Sequence, residues 1–418
     1  ARLHRVCRCG AAAGSRTRKV DAMPSLCLYF EVHQPRRLRH FTVFDIGRAQ
    51  PYEDEVQNRQ ILDKVAEKCY LPANAVILDL IRRHDGRFRI AYSLTGVILE
   101  QLETRRPDVL KSFQELAGTG CVEFLNETYY HSLCSLYSPR EFEAQVMLHR
   151  KKIRELFGQE AVTFRNTELL HSNDLAAKAA AMGYEVVLAE GTERVLGCRS
   201  PNFVYRPAGA GIKILLRNYR LSDDVAFRFS NRQWREYPLT PAKFAHWIHQ
   251  DADAQVINLF MDYETFGEHQ WADSGIFTFL RQMPAELLRH PGFAFHTPSE
   301  VADRHEPAGI LDVPDAVSWA DVERDLTAWR GNAMQGDALT SLYGMEKDVR
   351  RAKSRKLLRD WRLLQTSDHF YYMCTKWFED GDVHKYFNPY ESPYDAYINY
   401  MNILDDFSWK LNRKKATA

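Results

Sequence analysis

No apolar run in this sequence approaches the roughly 18 residues that a membrane-spanning helix needs, and neither sign of charge dominates. Lys and Arg number 56 against 55 Asp and Glu, a net charge of +1 over 418 residues. That balance speaks against an electrostatic nucleic-acid binder, which needs a basic excess somewhere, and neither nucleic acid nor membrane is expected as a partner. The 21 glycines and 17 prolines are too few for a collagen-like or linker-like chain. Cysteine is scarce and irregular. Its 8 residues suggest buried thiols in a reducing compartment rather than a disulfide framework, so a cytoplasmic location is expected. The first twenty residues lack the apolar core of about 7–15 residues that marks a secretory signal. They carry Arg2, Arg5, Arg8, Arg16, Arg18 and Lys19 with no acid before Asp21, so residues 1–22 read as a basic extension, disordered or foreign to the fold, ahead of Met23. A transit peptide is the competing reading, and Cys7 with Cys9 is a lone pair without metal-site partners.

What is present is a large apolar complement, 45% hydrophobic and 12% aromatic, arranged in two alternating periods. Ser25–Val32, Arg87–Ser93, Val122–Leu125, Ala161–Arg165, Tyr184–Ala189 and Val256–Met261 are short apolar runs of the kind buried in parallel sheets. Helical spacing covers Leu71–His84, Pro107–Leu116, Asp174–Met182 and Gly275–Arg289. Ser138-Pro139-Arg140-Glu141 and Thr297-Pro298-Ser299-Glu300 are capping boxes with proline at the first helical position, the former opening a helix to about Phe157. Strands alternating with helices predict an α/β barrel or open parallel sheet. After Pro314 the strand pattern stops, and Ser318–Lys353, Arg355–Tyr372 and Ser392–Asn412 read as helices.

In parallel α/β folds the reactive groups collect beyond the C-terminal ends of the strands. Here those ends deliver His33-Gln34-Pro35, then Asn126-Glu127 through to His131, then Asn166-Thr167-Glu168, then Asp262-Tyr263-Glu264 with Glu268-His269. Glu168 and Asp262, on different strands, have the residue types for glycoside cleavage. One carboxylate attacks or stabilises the sugar cation while the other protonates the leaving oxygen. The plainer alternatives are a helix-capping charge for Glu168 and an ion pair for Asp262. The same region offers His33, His131, His171 and His269 with Asp262 as potential zinc ligands, but no H-E-x-x-H motif, and His246 with His249 looks like an ordinary helical pair.

His33-Gln34-Pro35, Gly120-Cys121-Val122-Glu123, Thr167-Glu168, Asp262-Tyr263-Glu264-Thr265-Phe266-Gly267 and Asp325 through Asn332 are similar, in order, to the five signatures of glycoside hydrolase family 57. The chain from Met23 to Trp409 resembles the α-amylase type of that family. The resemblance implies an incomplete (β/α)7 barrel over 23–313, with a helical region over 314–418 packed on it and completing the cleft. It implies a retaining double displacement with Glu168 as nucleophile and Asp262 as acid/base. His33, Gln34, Glu123, Glu264, His269 and Trp329 would bind substrate, with no metal and no cofactor. The substrate would be an α-1,4-linked glucan or maltooligosaccharide. The rings of Phe370, Tyr371, Tyr372, Trp377, Tyr386, Phe387, Tyr390, Tyr394 and Tyr397 would close the helical region over the barrel. Three alternatives stand beside this reading. A 4-α-glucanotransferase would use the same carboxylates with a sugar as acceptor. A zinc polysaccharide deacetylase on a related barrel would need an Asp-His-His set. A non-catalytic glucan-binding protein would be expected to lack one carboxylate, whereas both are present.

Overall fold

The computed structural model describes residues 24–376 and 388–416. The basic extension, Cys7, Cys9, Trp377, Tyr386 and Phe387 lie outside the described residues. The strands are β1 (Ser25–Val32), β2 (Ile90–Leu94), β3 (Val122–Phe124), β4 (Thr163–Arg165), β5 (Val186–Glu190), β6 (Arg206–Pro207), β7 (Lys213–Arg217), β8 (Val256–Asp262), β9 (Ala294–Phe295) and β10 (Ile310–Leu311). One parallel sheet has the order β3-β2-β1-β8, with β9 beside the start of β1, and a second has the order β4-β5-β7. Two seams join them by single contacts rather than ladders. Asn126 bridges to Phe164 at one seam. At the other, Asn218 N–H donates to the Asn258 carbonyl and the Asn258 amide to the Leu216 carbonyl, each at 2.9 Å. The main strands thus succeed one another around a ring whose hydrogen bonding is interrupted twice.

All eight residues of β1 are buried, as a strand covered on both faces requires. Its two faces differ, because successive side chains point to opposite sides. Leu26, Leu28, Phe30 and Val32 join the outer core, packing with Leu62, Ile77, Leu80 and Leu280 of the surrounding helices. Cys27 and Tyr29 join a smaller inner cluster with Ala91, Val186, Leu188, Leu215 and Phe260. Continuing that inner face to the C-terminal strand ends leads to Glu31, Ser93, Arg165, Glu190, Arg217 and Asp262. Glu31 is in register with Asp262, and Glu190 with Arg217. The ring therefore has an apolar middle and a layer of charges at its mouth.

The helix Pro139–Phe157 starts as its sequence predicts, with the Ser138 side chain accepting from Glu141 N–H and Gly158 ending it in the left-handed conformation. The helix Pro298–Arg304 has the expected capping box at Thr297 and Glu300. The C-terminal region departs from expectation. Instead of one helix over Ser318–Lys353 there are Thr327–Arg330, Ala333–Gly344 and Glu346–Arg351, and 318–326 is a loop. Asn332 restarts the chain by capping Gln335 N–H at 3.0 Å, which separates the first two helices. The expected helix Arg355–Tyr372 is likewise divided into Arg355–Leu363 and Ser367–Tyr371, because Thr366 leaves the helix to bridge with Ser132. The last helix is Pro393–Ala416. Buried Glu141 anchors this region to the barrel through Arg350 (2.8 Å) and Arg362 (2.7 Å). No helix among the described residues is long and apolar enough to cross a membrane.

Candidate active site

A cleft of about 890 Å³ opens over the charged mouth of the ring. Its walls include His33, Gln34, Glu264 and His269 together with Glu168 and Asp262. Two of the residues expected to bind substrate are elsewhere. Glu123 lies on β3 and accepts hydrogen bonds from Ser299 N–H at 3.0 Å and Ser299 Oγ at 2.8 Å, with Thr163 Oγ1 on its other oxygen. It secures the helix Pro298–Arg304 rather than facing the cleft, because its position on β3 is level with Tyr29, below the mouth. Trp329 is 1% exposed in a separate apolar cluster with Ala328, Leu339 and Phe370, its ring 6.0 Å from Tyr371, and lies outside the cleft. The tryptophan in the cleft is Trp319.

Glu168 follows β4 in a left-handed backbone conformation (φ 59°). Leu169 (φ 50°) and His131 (φ 50°) share that conformation, which is unfavourable for residues with a β-carbon and costs on the order of 1–3 kcal/mol each. The bent backbone turns the Glu168 carboxylate towards an array of donors. His131 Nε2 is 3.1 Å from Oε1, Ser367 Oγ is 3.3 Å from the same oxygen, and the Trp319 indole N–H donates to Oε2 at 2.8 Å. Trp319 N–H also donates to the Glu168 carbonyl at 3.2 Å. His131 itself is gripped by carboxylates on both nitrogens, with Nδ1 3.4 Å from Glu127 and 3.7 Å from Glu31. Burial favours the neutral ring, but the hydrogen bonds to Glu127 and Glu168 and the charges of Glu168 and Glu31 push His131 up to about 10, so it is an imidazolium at neutral pH. For Glu168, burial favours the protonated acid, yet the His131 hydrogen bond, the His131 charge and Arg165 hold the carboxyl below its ordinary range. Glu168 is therefore ionised.

Asp262 closes β8 and has a different setting. No described side chain hydrogen-bonds its carboxyl, and burial followed by the negative charge of Glu168 raises it to about 6. Next to it Glu264 is raised to about 8 by burial and by Asp262, and receives hydrogen bonds from Tyr70 and Gln34. The loop holding Glu264 and His269 is turned by Gly267 at φ 114°, where a β-carbon would stand 2.0 Å from the Lys68 carbonyl. Burial lowers His269 to about 4, keeping it neutral.

On the β1 side, His33 stacks on His131 with ring centroids 4.0 Å apart. Its Nδ1 meets Thr95 Oγ1 at 2.8 Å and its Nε2 meets Asp368 at 3.0 Å. Burial and then the His131 cation lower the His33 value, against the pull of Asp368. Underneath, Arg165 is fully buried with Nη1 3.3 Å from Glu31 and 3.7 Å from Glu127, and none of its three nitrogens has a hydrogen bond of good geometry.

Among the residues considered as zinc ligands, His33 and His131 come together with Asp368, while His171 is buried with both ring nitrogens unpartnered. In this group both rings already have protein partners on each nitrogen, Thr95 and Asp368 for His33 and Glu127 and Glu168 for His131. Sequence reading underweighted Arg165, Trp319, Ser367 and Asp368. Trp319 falls in what looked like a continuous helix and Asp368 in an aromatic-rich stretch that read as core.

A model of glycosyl hydrolase family 57 matches residues 27–314. A Methanocaldococcus jannaschii protein described as "Putative alpha-amylase" is 44% identical over 402 residues, covering 93% of this chain and 85% of its own length. The fold matches the GH57-type branching enzyme from Pyrococcus horikoshii with a TM-score of 0.66 at 16% identity, over 87% of each chain. It matches an α-amylase from Thermotoga maritima with a TM-score of 0.61 at 14% identity, over 94% of each chain. The 4-alpha-glucanotransferase from Thermococcus litoralis aligns with a TM-score of 0.63 at 15% identity, over 83% of this chain and 56% of that one. With more than half of its length matched by the family model and this arrangement of carboxylates at the ring's mouth, the chain belongs to glycosyl hydrolase family 57.

Proposed function

We propose that the protein cleaves α-1,4-linked glucans with retention of anomeric configuration, using Glu168 as nucleophile and Asp262 as acid/base. The observation that carries the reading is the contrast between two carboxyls lining one cleft. His131, Trp319 and Ser367 keep Glu168 ionised, while Asp262, in the field of Glu168, is raised to about 6. A nucleophile must be ionised and a general acid must hold its proton near the working pH.

In the first step a Glu168 oxygen attacks the anomeric carbon. The bond from that carbon to the leaving oxygen breaks, and Asp262 gives its proton to that oxygen. In the second step an incoming hydroxyl attacks the same carbon, Asp262 takes the hydroxyl proton, and Glu168 is released as a carboxylate. His33 and Gln34 face the cleft with hydrogen-bonding groups suited to sugar hydroxyls, and Glu264 and His269 do the same from the β8 side. The α-glucan substrate is supported by the relatives, whose descriptions name α-amylase, branching enzyme and 4-alpha-glucanotransferase.

The test is maltoheptaose digested with EDTA present, with products separated by anion-exchange chromatography and their first-formed anomer followed by proton NMR. Shorter products appearing first as the α-anomer support retaining hydrolysis, and longer products in addition identify a sugar acceptor. Products formed first as the β-anomer overturn the retaining step. Intact maltoheptaose overturns the glycan reading, and loss of activity in EDTA alone moves the chain to metal-dependent chemistry.

A further inference from the structure

The loop 318–326 reaches the cleft from the helical region and brings Trp319 to the nucleophile, although it has no regular secondary structure of its own. Its tip is in solvent, with Val322 82% exposed, while Trp319, Ala320 and Leu326 pack against the core on either side of that tip. Its internal bonds are few. Ser318 N–H donates to the Arg324 carbonyl at 3.2 Å, Ser318 Oγ to the Asp325 carbonyl at 2.8 Å, and Arg324 Nη1 lies 3.4 Å from the Trp319 carbonyl. Asp321 (φ 57°) and Arg324 (φ 51°) are both left-handed, so the loop is held in a conformation its residues do not favour.

The strongest tie from this loop to the barrel, beyond Trp319 itself, is the Arg324 guanidinium. Nη1 donates to Glu190 Oε2 at 2.7 Å and Nη2 to Asp223 Oδ2 at 3.2 Å. The same two carboxylates take Arg217, with Nη1 3.1 Å from Glu190 and Nη2 2.5 Å from Asp223. Two cations and two anions therefore alternate in a square between the end of β5, the end of β7, the helix Tyr219–Ala226 and the loop. The Tyr219 ring lies 4.2 Å from the Arg324 guanidinium carbon. On the other side of the loop, Lys376 pairs with Glu323 at 2.9 Å. Within this frame the Trp319 ring lies near Arg165 on β4 and Arg217 on β7, at 5.1 and 5.8 Å.

From this geometry we infer that Arg324 is a positioning residue for the glycosidic reaction: by clasping Glu190 and Asp223 it holds the loop so that the Trp319 indole N–H stays on the Glu168 carboxylate. The inference rests on the reading of Glu168 as nucleophile. A planar two-pronged guanidinium meets two separate carboxylates in a way that a lysine ammonium cannot. Without the clasp, the indole donor is released together with the left-handed loop that carries it, and Glu168 keeps only His131 and Ser367.

A double-mutant cycle on Arg324→Met and Trp319→Phe tests this, read as release of nitrophenol from 4-nitrophenyl α-maltoside across pH. If Arg324 acts through Trp319, Arg324→Met lowers kcat by about 10-fold, equivalent to roughly 1.4 kcal/mol. Each single variant then moves the acidic limb of kcat/KM to higher pH, since Glu168 has lost a donor. The double variant is no worse than Trp319→Phe alone. Arg324→Lys keeps the charge but recovers only part of the loss. Additive losses, or an acidic limb unmoved by Arg324→Met, overturn the inference. Near-UV circular dichroism gives a readout independent of turnover. The band lost in Trp319→Phe is also lost in Arg324→Met if the clasp seats the indole, and persists if it does not. A wild-type enzyme that releases no nitrophenol and leaves maltoheptaose intact overturns the glycosidase reading instead, and the dichroism comparison still decides whether Arg324 seats the loop.

Discussion

The foot and the mouth of the strand ring both place polar side chains on the same inward face, and they treat them in opposite ways. At the foot, Ser25 Oγ is hydrogen-bonded to His296 Nδ1 and His305 Nε2, each at 2.9 Å. Glu123 is satisfied by Thr163 and Ser299, and Lys213 Nζ reaches the His305 carbonyl at 3.1 Å. None of these side chains has a buried polar atom without a partner. At the mouth, Glu31 Oε1 and all three Arg165 nitrogens lack a hydrogen bond, though their charges oppose one another. Burying polar atoms without partners costs about 1–3 kcal/mol apiece, so the mouth carries a free-energy cost that the foot avoids. The cost falls beside Glu168, whose carboxyl is lowered, and Asp262, whose carboxyl is raised to about 6. Polarity at the foot closes the end of the ring with a capped helix, and polarity at the mouth sets up chemistry.

Breaking the mouth should have the largest effect. Glu168→Gln is expected to reduce kcat on maltoheptaose by about 10⁴-fold or more, since the step through the covalent intermediate loses its nucleophile. Asp262→Asn should cost about 10²–10⁴-fold on the same substrate. In kcat/KM, which reports the first step, the loss should be far smaller on 4-nitrophenyl α-maltoside, whose leaving group needs little protonation, and equal losses in kcat/KM on the two substrates would count against Asp262 as the acid. The pH dependence sharpens the contrast. The general acid must be protonated, so kcat/KM is expected to fall as pH rises through about 6, the value of Asp262. The acidic limb belongs to Glu168 and lies below the ordinary carboxylate range, because its donors favour the ionised form.

At the foot, Glu123→Gln should leave turnover unchanged and lower the melting midpoint by about one degree, the effect of about 1 kcal/mol on a chain of this length. A large loss of turnover without loss of stability would return Glu123 to the binding machinery. The smallest effect concerns His296, which burial lowers to about 4. A histidine whose folded value lies below its unfolded value near 6.5 leaves stability complete above that pH. Stability is then lost as pH falls from about 6.5 towards 4, because the unfolded chain takes up the proton first. Replacing His296 with Gln should flatten that part of the stability–pH curve, measured by thermal unfolding.

The parallel fold and both carboxylates are legible along the chain. Glu168 and Asp262 stand immediately after buried β runs, and the local order of apolar and polar residues is enough to find them. Glu123 was misplaced because strand register, not motif spacing, fixes height in the ring. Ala91 opposite Glu123 and Tyr29 opposite Ala91 put that carboxylate below the mouth. Trp329 was expected in the cleft because it lies within the fifth signature, and nothing local separates a core indole from one that reaches a carboxylate. Helix Ser318–Lys353 was overextended because residues 318–326 have helical composition, while their conformation is set by contacts with Glu168, Glu190 and Asp223, far away in sequence.

Alternation of residue types by itself determined where the strands, caps and strand-end carboxylates fall, because those depend on side-chain direction and on backbone hydrogen bonds within a few residues. Only the tertiary structure decided which carboxyl is raised and which is lowered. That depends on burial and on the charges of His131, Arg165, Glu168, Arg217 and Asp368, which converge on the cleft from separate stretches of the chain.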